Sequence, residues 1–365
     1  MRKIFCLAFA ASLALSVKAQ AQNPSNLTLL NEKEQSEYIP LFQYCKEHNI
    51  FQHLDASLTV GTSGIGFDVA SPIGEYVQVR AGYEFMPHFH KNLKFNLTVG
   101  GEPARQYDED GNRVITKFDK MKEFLYQFTG YDVEDHVDMI GTPTMNNFKL
   151  LVDVFPLKNN KHWHVTAGFY WGPSQFARAE NSTEAMVSLL SVGMYNSMYQ
   201  KAVNGEPFID LGAIDEKYAG LSFGGDEIDI IYDKFKSFGR LGFSLGTFKH
   251  DVVDNKGVLH KAGEPYILEP GDDSMVRVKA KSNAFKPYLG FGYGGRLIKN
   301  RDDWKVSFDA GAMFWGGTPD LIVHDGVNLT KDVENIGGQV GDYVDIFKAF
   351  KVYPVLTFRL TKTIF

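Results

Sequence analysis

Cysteine is scarce in this chain, and long apolar runs are scarcer. Of 365 residues only two are cysteines, Cys6 and Cys45. Cys6 falls inside a segment that reads as a leader, too early for a lipoprotein cysteine, so the mature chain keeps one thiol. One thiol makes no internal disulfide, and one cysteine with scattered histidines has no metal-site spacing. Mean hydropathy is −0.21, and the single long apolar run stands at the extreme N-terminus. A helical membrane protein needs ~20 consecutive apolar residues per span, so that class is excluded. A transmembrane β-barrel is not, because its alternating strands average out in any hydropathy window. Excess positive charge is missing too. The net charge of −6 gives no support for a nucleic-acid-binding surface.

What is present points to an exported β protein. Hydrophobic residues make up 44% and charged residues 22%, which excludes disorder. The aromatic share of 14%, with 29 Phe and 17 Tyr, favours strands. Residues 1–21 read as a secretory signal peptide: Arg2 and Lys3, an apolar run from Ile4 to Val17, and a small-x-small cleavage site at Ala19-Gln20-Ala21. No stop-transfer helix follows. The mature protein is expected to be exported, and either soluble or inserted as a barrel.

Residues 22–52 are polar, with a short helical pattern over 37–50, and read as a short periplasmic N-terminal extension. From Leu54 to Phe365 the texture has period two. Val77, Val79, Ala81, Tyr83 and Phe85 oppose Gln78, Arg80, Gly82 and Glu84. Trp163, Val165, Ala167, Phe169 and Trp171 oppose His162, His164, Thr166 and Gly168. Trp304, Val306, Phe308, Ala310, Ala312 and Phe314 oppose Lys305, Ser307, Asp309 and Gly311. Each block is about the ~9–11 residues that a tilted strand needs to cross a bilayer.

Alternation gives one apolar and one polar face. A soluble sandwich turns the apolar face to a second sheet, and a membrane barrel turns it to lipid. Three features favour the barrel. Aromatics stand at strand ends (Trp163, Trp171, Trp304, Trp315, Tyr353), where headgroup girdles want them. Polar faces are rich in small residues (Gly242, Ser244, Gly246, Gly290, Gly292), as in a crowded small barrel. The chain also ends on a strand. The expected fold is all-β: an antiparallel transmembrane β-barrel over 53–365, with about ten strands and long extracellular loops holding short helices.

Nine blocks are visible, at 54–70, 76–87, 93–101, 147–156, 162–172, 239–249, 284–294, 304–315 and 353–365. A tenth is expected in 256–281, with an outer turn at 72–75 and a periplasmic turn at 88–92. In the first block the apolar phase shifts across Thr62-Ser63-Gly64, which marks a bulge or a hairpin. Eight or twelve strands are therefore also compatible with the pattern. Two helical stripes lie in the long connections: Phe118, Met121, Phe124, Leu125 and Phe128, and then Met186, Leu189, Leu190, Gly193 and Met194 after Ser182 and Thr183. They pack on loop neighbours or form a lid.

Several strand motifs resemble a family. They are Val79-Arg80-Ala81-Gly82-Tyr83, the run from Phe148 to Pro156 followed by His164-Val165-Thr166-Ala167-Gly168-Phe169-Tyr170, Pro287-Tyr288-Leu289-Gly290-Phe291-Gly292-Tyr293-Gly294, and Tyr353-Pro354-Val355. Together they resemble a poorly characterised family of Gram-negative outer-membrane β-barrel proteins, in the style of its Bacteroidetes members. The resemblance implies residence among outer-membrane lipids and insertion by the barrel-assembly machinery, which reads the last strand. It implies no activity. Two departures stand out: the insertions at 102–146 and 173–238, and Thr363 where an aromatic or apolar residue is usual.

The polar faces place Asp55, Arg80, Glu84, Lys149, Asp153, Lys305, Asp309 and Arg359 in the lumen. Side chains nearly fill a barrel of eight to ten strands, so mixed charges there are expected to pair. A conducting route past them is the other reading. His88 with His90, and His162 with His164, form i, i+2 pairs that suit a metal by geometry, but no Cys, Asp or Glu stands at ligand spacing. Asp108-Glu109-Asp110 reads as a solvated charge run rather than a Ca²⁺ loop. No catalytic constellation and no cofactor motif is recognisable. Three function classes remain. The first is a non-enzymatic barrel, structural or binding an unknown partner through its outer loops. The second is a porin-like channel for small solutes or ions, and the third an outer-membrane enzyme. The expected strand count favours the first, since aqueous porins have ~16–18 strands.

Overall fold

The computed structural model describes residues 53–130, 132–157, 160–207 and 225–364. The leader at 1–21, the extension at 22–52 and Phe365 lie outside the described residues. The alternating segments form eight antiparallel strands: β1 (Asp55–Gly61), β2 (Gly64–Ile73), β3 (Val77–Phe85), β4 (Asn146–Val154), β5 (Trp163–Trp171), β6 (Phe285–Ile298), β7 (Arg301–Phe314) and β8 (Val352–Thr363). Each pairs with the next along the chain, and β8 closes on β1, with Asp55 opposite Thr363 and Gly61 opposite Thr357. Closure leaves none of these strands as a free sheet edge.

The strand count is eight rather than ten, for two physical reasons. The phase shift at Thr62-Ser63 is a hairpin, so the first block is two strands. Gly64 carries φ +119° there, and a Cβ would strike the Phe85 carbonyl. The blocks at 93–101 and 239–249 do alternate, but they belong to sheets outside the barrel. Residues 256–281 also hold strands, Pro265–Leu268 and Arg277–Lys281, and these too lie outside it.

The turns sort by end. Connections 74–76, 155–162 and 299–300 share the end where β1 begins and β8 finishes. Connections 86–145, 172–284 and 315–351 leave from the opposite end. The turn at 72–75 thus shares its end with the start of β1 and the finish of β8. Residues 88–92 run at the opposite end, into the strand Lys91–Asn96, and make no turn between barrel strands.

The three long connections build one cap. Five barrel strands continue past the rim: β3 into Lys91–Asn96, β4 out of His136–Pro143, β5 into Gln175–Asn181, β6 out of Arg277–Lys281 and β7 into Asp320–Val323. These extensions pair in the order their barrel strands do. The wall therefore runs on as a five-stranded sheet, bridged at the rim by Met86 N–H to Met145 O (2.8 Å) and Gly172 N–H to Ala284 O (3.1 Å). A second sheet joins Leu241–Phe248 to Pro265–Leu268 and to the short strand Thr98–Val99.

Four described helices pack on these sheets. They are α1 (Lys117–Thr129), α2 (Met186–Asn204), α3 (Gly225–Phe238) and α4 (Gly338–Ala349). Thr116 and Asp119 close a capping box at the start of α1, and Gly130 ends it in the left-handed region. Phe118, Met121 and Leu125 of the first stripe are buried. In the second helix the buried side is Leu189, Val192 and Tyr195, while Leu190 is exposed.

The two halves have opposite polarity. The cap has an apolar core, including Leu97, Val137, Met139, Phe235, Phe243 and Val333. The barrel points its apolar residues outward: Leu58 is 65% exposed, Phe291 58% and Phe358 51%. Exposed aromatics stand at both strand ends, with Trp163 and Tyr293 on the terminus side and Trp171 and Phe285 on the cap side. Trp315 is an exception to the girdle expectation, since it is buried in the cap core against Phe176 and Tyr353. The Thr363 departure also has a cause. Thr363 is an inward position whose hydroxyl donates to Asp55 at 2.6 Å, and the exposed apolar residue next to it is Ile364.

Packing and charge each lead to a measurable outcome. A Cβ on Gly290 or Gly311 would strike the hydroxyl of Tyr288, so these glycines are the space that this ring occupies. Gly290→Val is expected to cost about 1–3 kcal/mol, read as a lower urea midpoint of unfolding. In the cap, burial would raise the Asp320 carboxyl, but hydrogen bonds from Lys331 and Asn328 outweigh it and hold the group below its usual 3.8. A depressed carboxyl stabilises fully above its unfolded value and loses that contribution as pH falls through the lower folded value. Protection factors across 320–332, referenced to the intrinsic exchange rate at each pH, are expected to fall as pH drops below about 4, and to be unchanged there in Asp320→Asn.

Candidate functional site

The lumen of the barrel is the site where the sequence-derived residues converge. Inward positions alternate with the outward belt, so each strand delivers a polar side chain about every second residue. Arg80 of β3 lies 2.9 Å from Asp153 of β4, 3.4 Å from Asp309 of β7 and 3.5 Å from Asp68 of β2. Lys149 of β4 pairs with Glu84 and lies 2.7 Å from Asp68. Arg359 of β8 lies 3.5 Å from both Asp153 and Asp309, and its Nε donates to Ser307 at 2.8 Å. Thr166 donates to Asp153 at 2.7 Å. All these ionic side chains are at most 8% exposed.

Six of the eight expected lumen residues therefore belong to one buried network: Arg80, Glu84, Lys149, Asp153, Asp309 and Arg359. The other two, Asp55 and Lys305, form a looser pair at 3.6 Å nearer the terminus end, with the Lys305 side chain 47% exposed. Alternation missed Asp68. It lies between Phe67 and Val69, and its inward phase becomes readable only once the hairpin at Thr62-Ser63 is placed. Lys286 was also missed. It is buried at the cap-side end of β6, and its Nζ donates to Asn147 at 3.2 Å.

His164 joins the network through Asp309. His164 Nε2 lies 2.8 Å from Asp309. A carboxylate only accepts, so that nitrogen carries the proton. The i, i+2 pairs do not assemble a metal site. His164 is committed to Asp309, His162 Nδ1 bonds the Gly294 carbonyl at 2.6 Å, and His90 Nδ1 lies 3.2 Å from Thr142. His88 is exposed. Among the described residues no three His, Cys, Asp or Glu side chains group as metal ligands. Asp108 is taken up by its own turn, accepting from the Asn112 and Asp110 amides.

Along its axis the lumen is layered. A polar vestibule of about 1700 Å³ opens between the terminus-side turns and reaches inward to His164, Ser307 and Arg359. The ion pairs come next. Packed among them is an apolar cluster of Leu151, Tyr170, Tyr288, Met313 and Val355, with Leu151 opposite Arg80 and Tyr170 opposite Lys149 in register and the Tyr170 and Tyr288 rings edge-on at 5.4 Å. Extending the polar registers one step would have found Tyr170 after Gly168, and Met313 after Gly311.

No protein-family model matches the chain, and no curated protein does. Among solved structures it is similar to the crystal structures of CarO2 and CarO from Acinetobacter baumannii. For CarO2 the TM-score is 0.33 at 14% identity, covering 85% of this chain and 98% of that one. For CarO it is 0.32 at 14% identity, covering 85% and 97%. Similarity this distant carries no argument about function.

Removing one partner from a buried ionic network strands the others. Arg80→Met is expected to cost about 3–5 kcal/mol by urea unfolding. Arg80→Met combined with Asp153→Leu is expected to recover part of that loss. Equal midpoints for Arg80→Met and the unaltered protein would show that the network does not stabilise the barrel.

Proposed function

We propose that this chain is a non-enzymatic outer-membrane β-barrel of a Gram-negative bacterium, exported by the leader at 1–21. In this reading the lumen is filled, and the cap on the outer side is the working surface that meets a partner. The observation that carries it is the inverted polarity: an apolar belt outside the closed barrel and a network of paired charges inside. Leu58, Phe291 and Phe358 would be costly in water at about 25 cal/mol per Å² of apolar surface, whereas lipid contact removes that cost. Membership of the Bacteroidetes-type family that its strand motifs resemble, and delivery by the barrel-assembly machinery, belong to the same reading.

The porin-like alternative has one supporting observation, the wide vestibule on the terminus side. Against it, the ion pairs and the cluster of Tyr170, Tyr288 and Met313 together occupy the same narrow lumen. An ion would have to break paired charges and pass these bulky side chains.

Two measurements test this. Unheated detergent samples are expected to migrate anomalously on a gel and to partition with outer membranes; normal migration and recovery in the soluble periplasm would overturn the barrel reading. In a planar lipid bilayer the folded protein is expected to give no reproducible conductance steps. Steady open steps would move the assignment to a channel, with Arg80, Glu84, Lys305 and Asp309 as the first positions to vary.

A further inference from the structure

The cap holds a cavity of its own, apart from the lumen. Where α4 crosses the inner face of the five-stranded extension, helix and sheet do not close on each other, and a trough of about 280 Å³ remains. Its floor is shallow because the residues there are small. Gly141 pairs with Ala179, and Ala177 pairs with Ala280 across the neighbouring strands. Its roof is Val340, Val344 and Phe347 of α4. The fold does not itself demand a glycine at position 141. Its φ is not in the left-handed region, and an added Cβ would meet nothing closer than 3.5 Å. The open space is therefore not a by-product of tight backbone packing. An apolar trough left unfilled forfeits dispersion contacts on both walls and does not hold water well.

Lys91 stands on the sheet face that floors the trough. Lys91 pairs with Gly141 in register, so both share the face of Leu93 and Phe95. Lys91 lines the trough, is exposed, and has no ion pair or hydrogen bond from its side chain among the described residues. Phe89, 56% exposed, lines the same end. This mouth lies a few residues beyond Phe85, where the outward apolar belt of β3 stops. The other lining cation, Arg178, is paired with Glu180 at 3.7 Å. Apolar walls with one unpaired lysine at one end match a molecule with one hydrocarbon tail and one acid group. The volume suits a single chain and not a two-chain membrane lipid.

We propose that this trough binds a free long-chain carboxylate, with the tail between α4 and the sheet and the carboxylate at Lys91. The site goes beyond the barrel reading and does not depend on insertion. The test uses the purified full chain in zwitterionic detergent micelles, with matched empty micelles as blank. The probes are a fluorescent conjugated C18 carboxylic acid and the alcohol of the same chain. Saturable one-to-one binding of the acid is expected. Lys91→Gln should weaken the acid about tenfold, roughly 1.4 kcal/mol, and leave the alcohol unchanged. Ala179→Phe, which fills the floor, should weaken both. Ala280→Leu serves as a second filling variant, and the gel shift of the unheated protein checks that each variant is folded. Acid fluorescence no greater than in empty micelles overturns the proposal. So does unchanged affinity in both folded filling variants, or equal weakening of acid and alcohol by Lys91→Gln.

Discussion

Arg80 stands where carboxylates from three other strands converge, Asp68 from β2, Asp153 from β4 and Asp309 from β7. That convergence is the constraint on which the barrel depends. A closed wall of eight strands has a lumen only a few side chains wide, so any charge turned inward leaves water. Desolvation is repaid only if each charge finds opposite partners at once. The network meets this by linking β2, β3, β4, β7 and β8 through Arg80, Lys149 and Arg359. Three of its ties, Arg80–Asp309, Lys149–Asp68 and Arg359–Asp153, join strands that are not neighbours in the sheet. Ladder hydrogen bonds hold adjacent strands, and the ion pairs hold the cylinder's opposite walls.

The same narrowness fixes the small residues. A Cβ on Gly82 would strike the Asp68 carboxylate, and one on Gly292 would strike both Asp309 and His164. Each of these bulky inward side chains thus lies over a glycine on a neighbouring strand, and the lumen fills without strain. Tyr170, Tyr288 and Met313 pack among the charges and fill the remaining space with apolar contact. In the cap the inner sheet face continues the lumen face but is lined by Met139, Ala177 and Leu321.

The cap is therefore an extension of the barrel wall and not an appended domain. Five strands cross the rim and keep their order, so the cap's apolar core is built on the same sheet that encloses the charges below. Rigid strands beneath and helices above leave α4 suspended over a floor of small residues. With the lumen occupied by its own side chains, the larger accessible chemistry of the molecule sits in the cap and in the terminus-side vestibule.

Period-two alternation by itself determined the inward and outward sets, and with them six members of the buried network, because side-chain direction on a strand is a local property. Helical spacing likewise determined the first helical stripe, whose Phe118, Met121 and Leu125 are buried, but not the second, where Leu189 is buried and Leu190, Gly193 and Met194 are exposed. Strand count was not determined in this way. The segments Lys91–Asn96 and Leu241–Phe248 alternate as the barrel strands do, and only pairing decides which sheet receives them. Asp68 waited on the hairpin before it, and the Trp315 environment on the cap core. The trough at Lys91 depends on the distance between α4 and strands far apart in sequence. Local periodicity states which way a residue points. What it points at is decided by tertiary contacts, because those distances are set by elements that the local pattern does not contain.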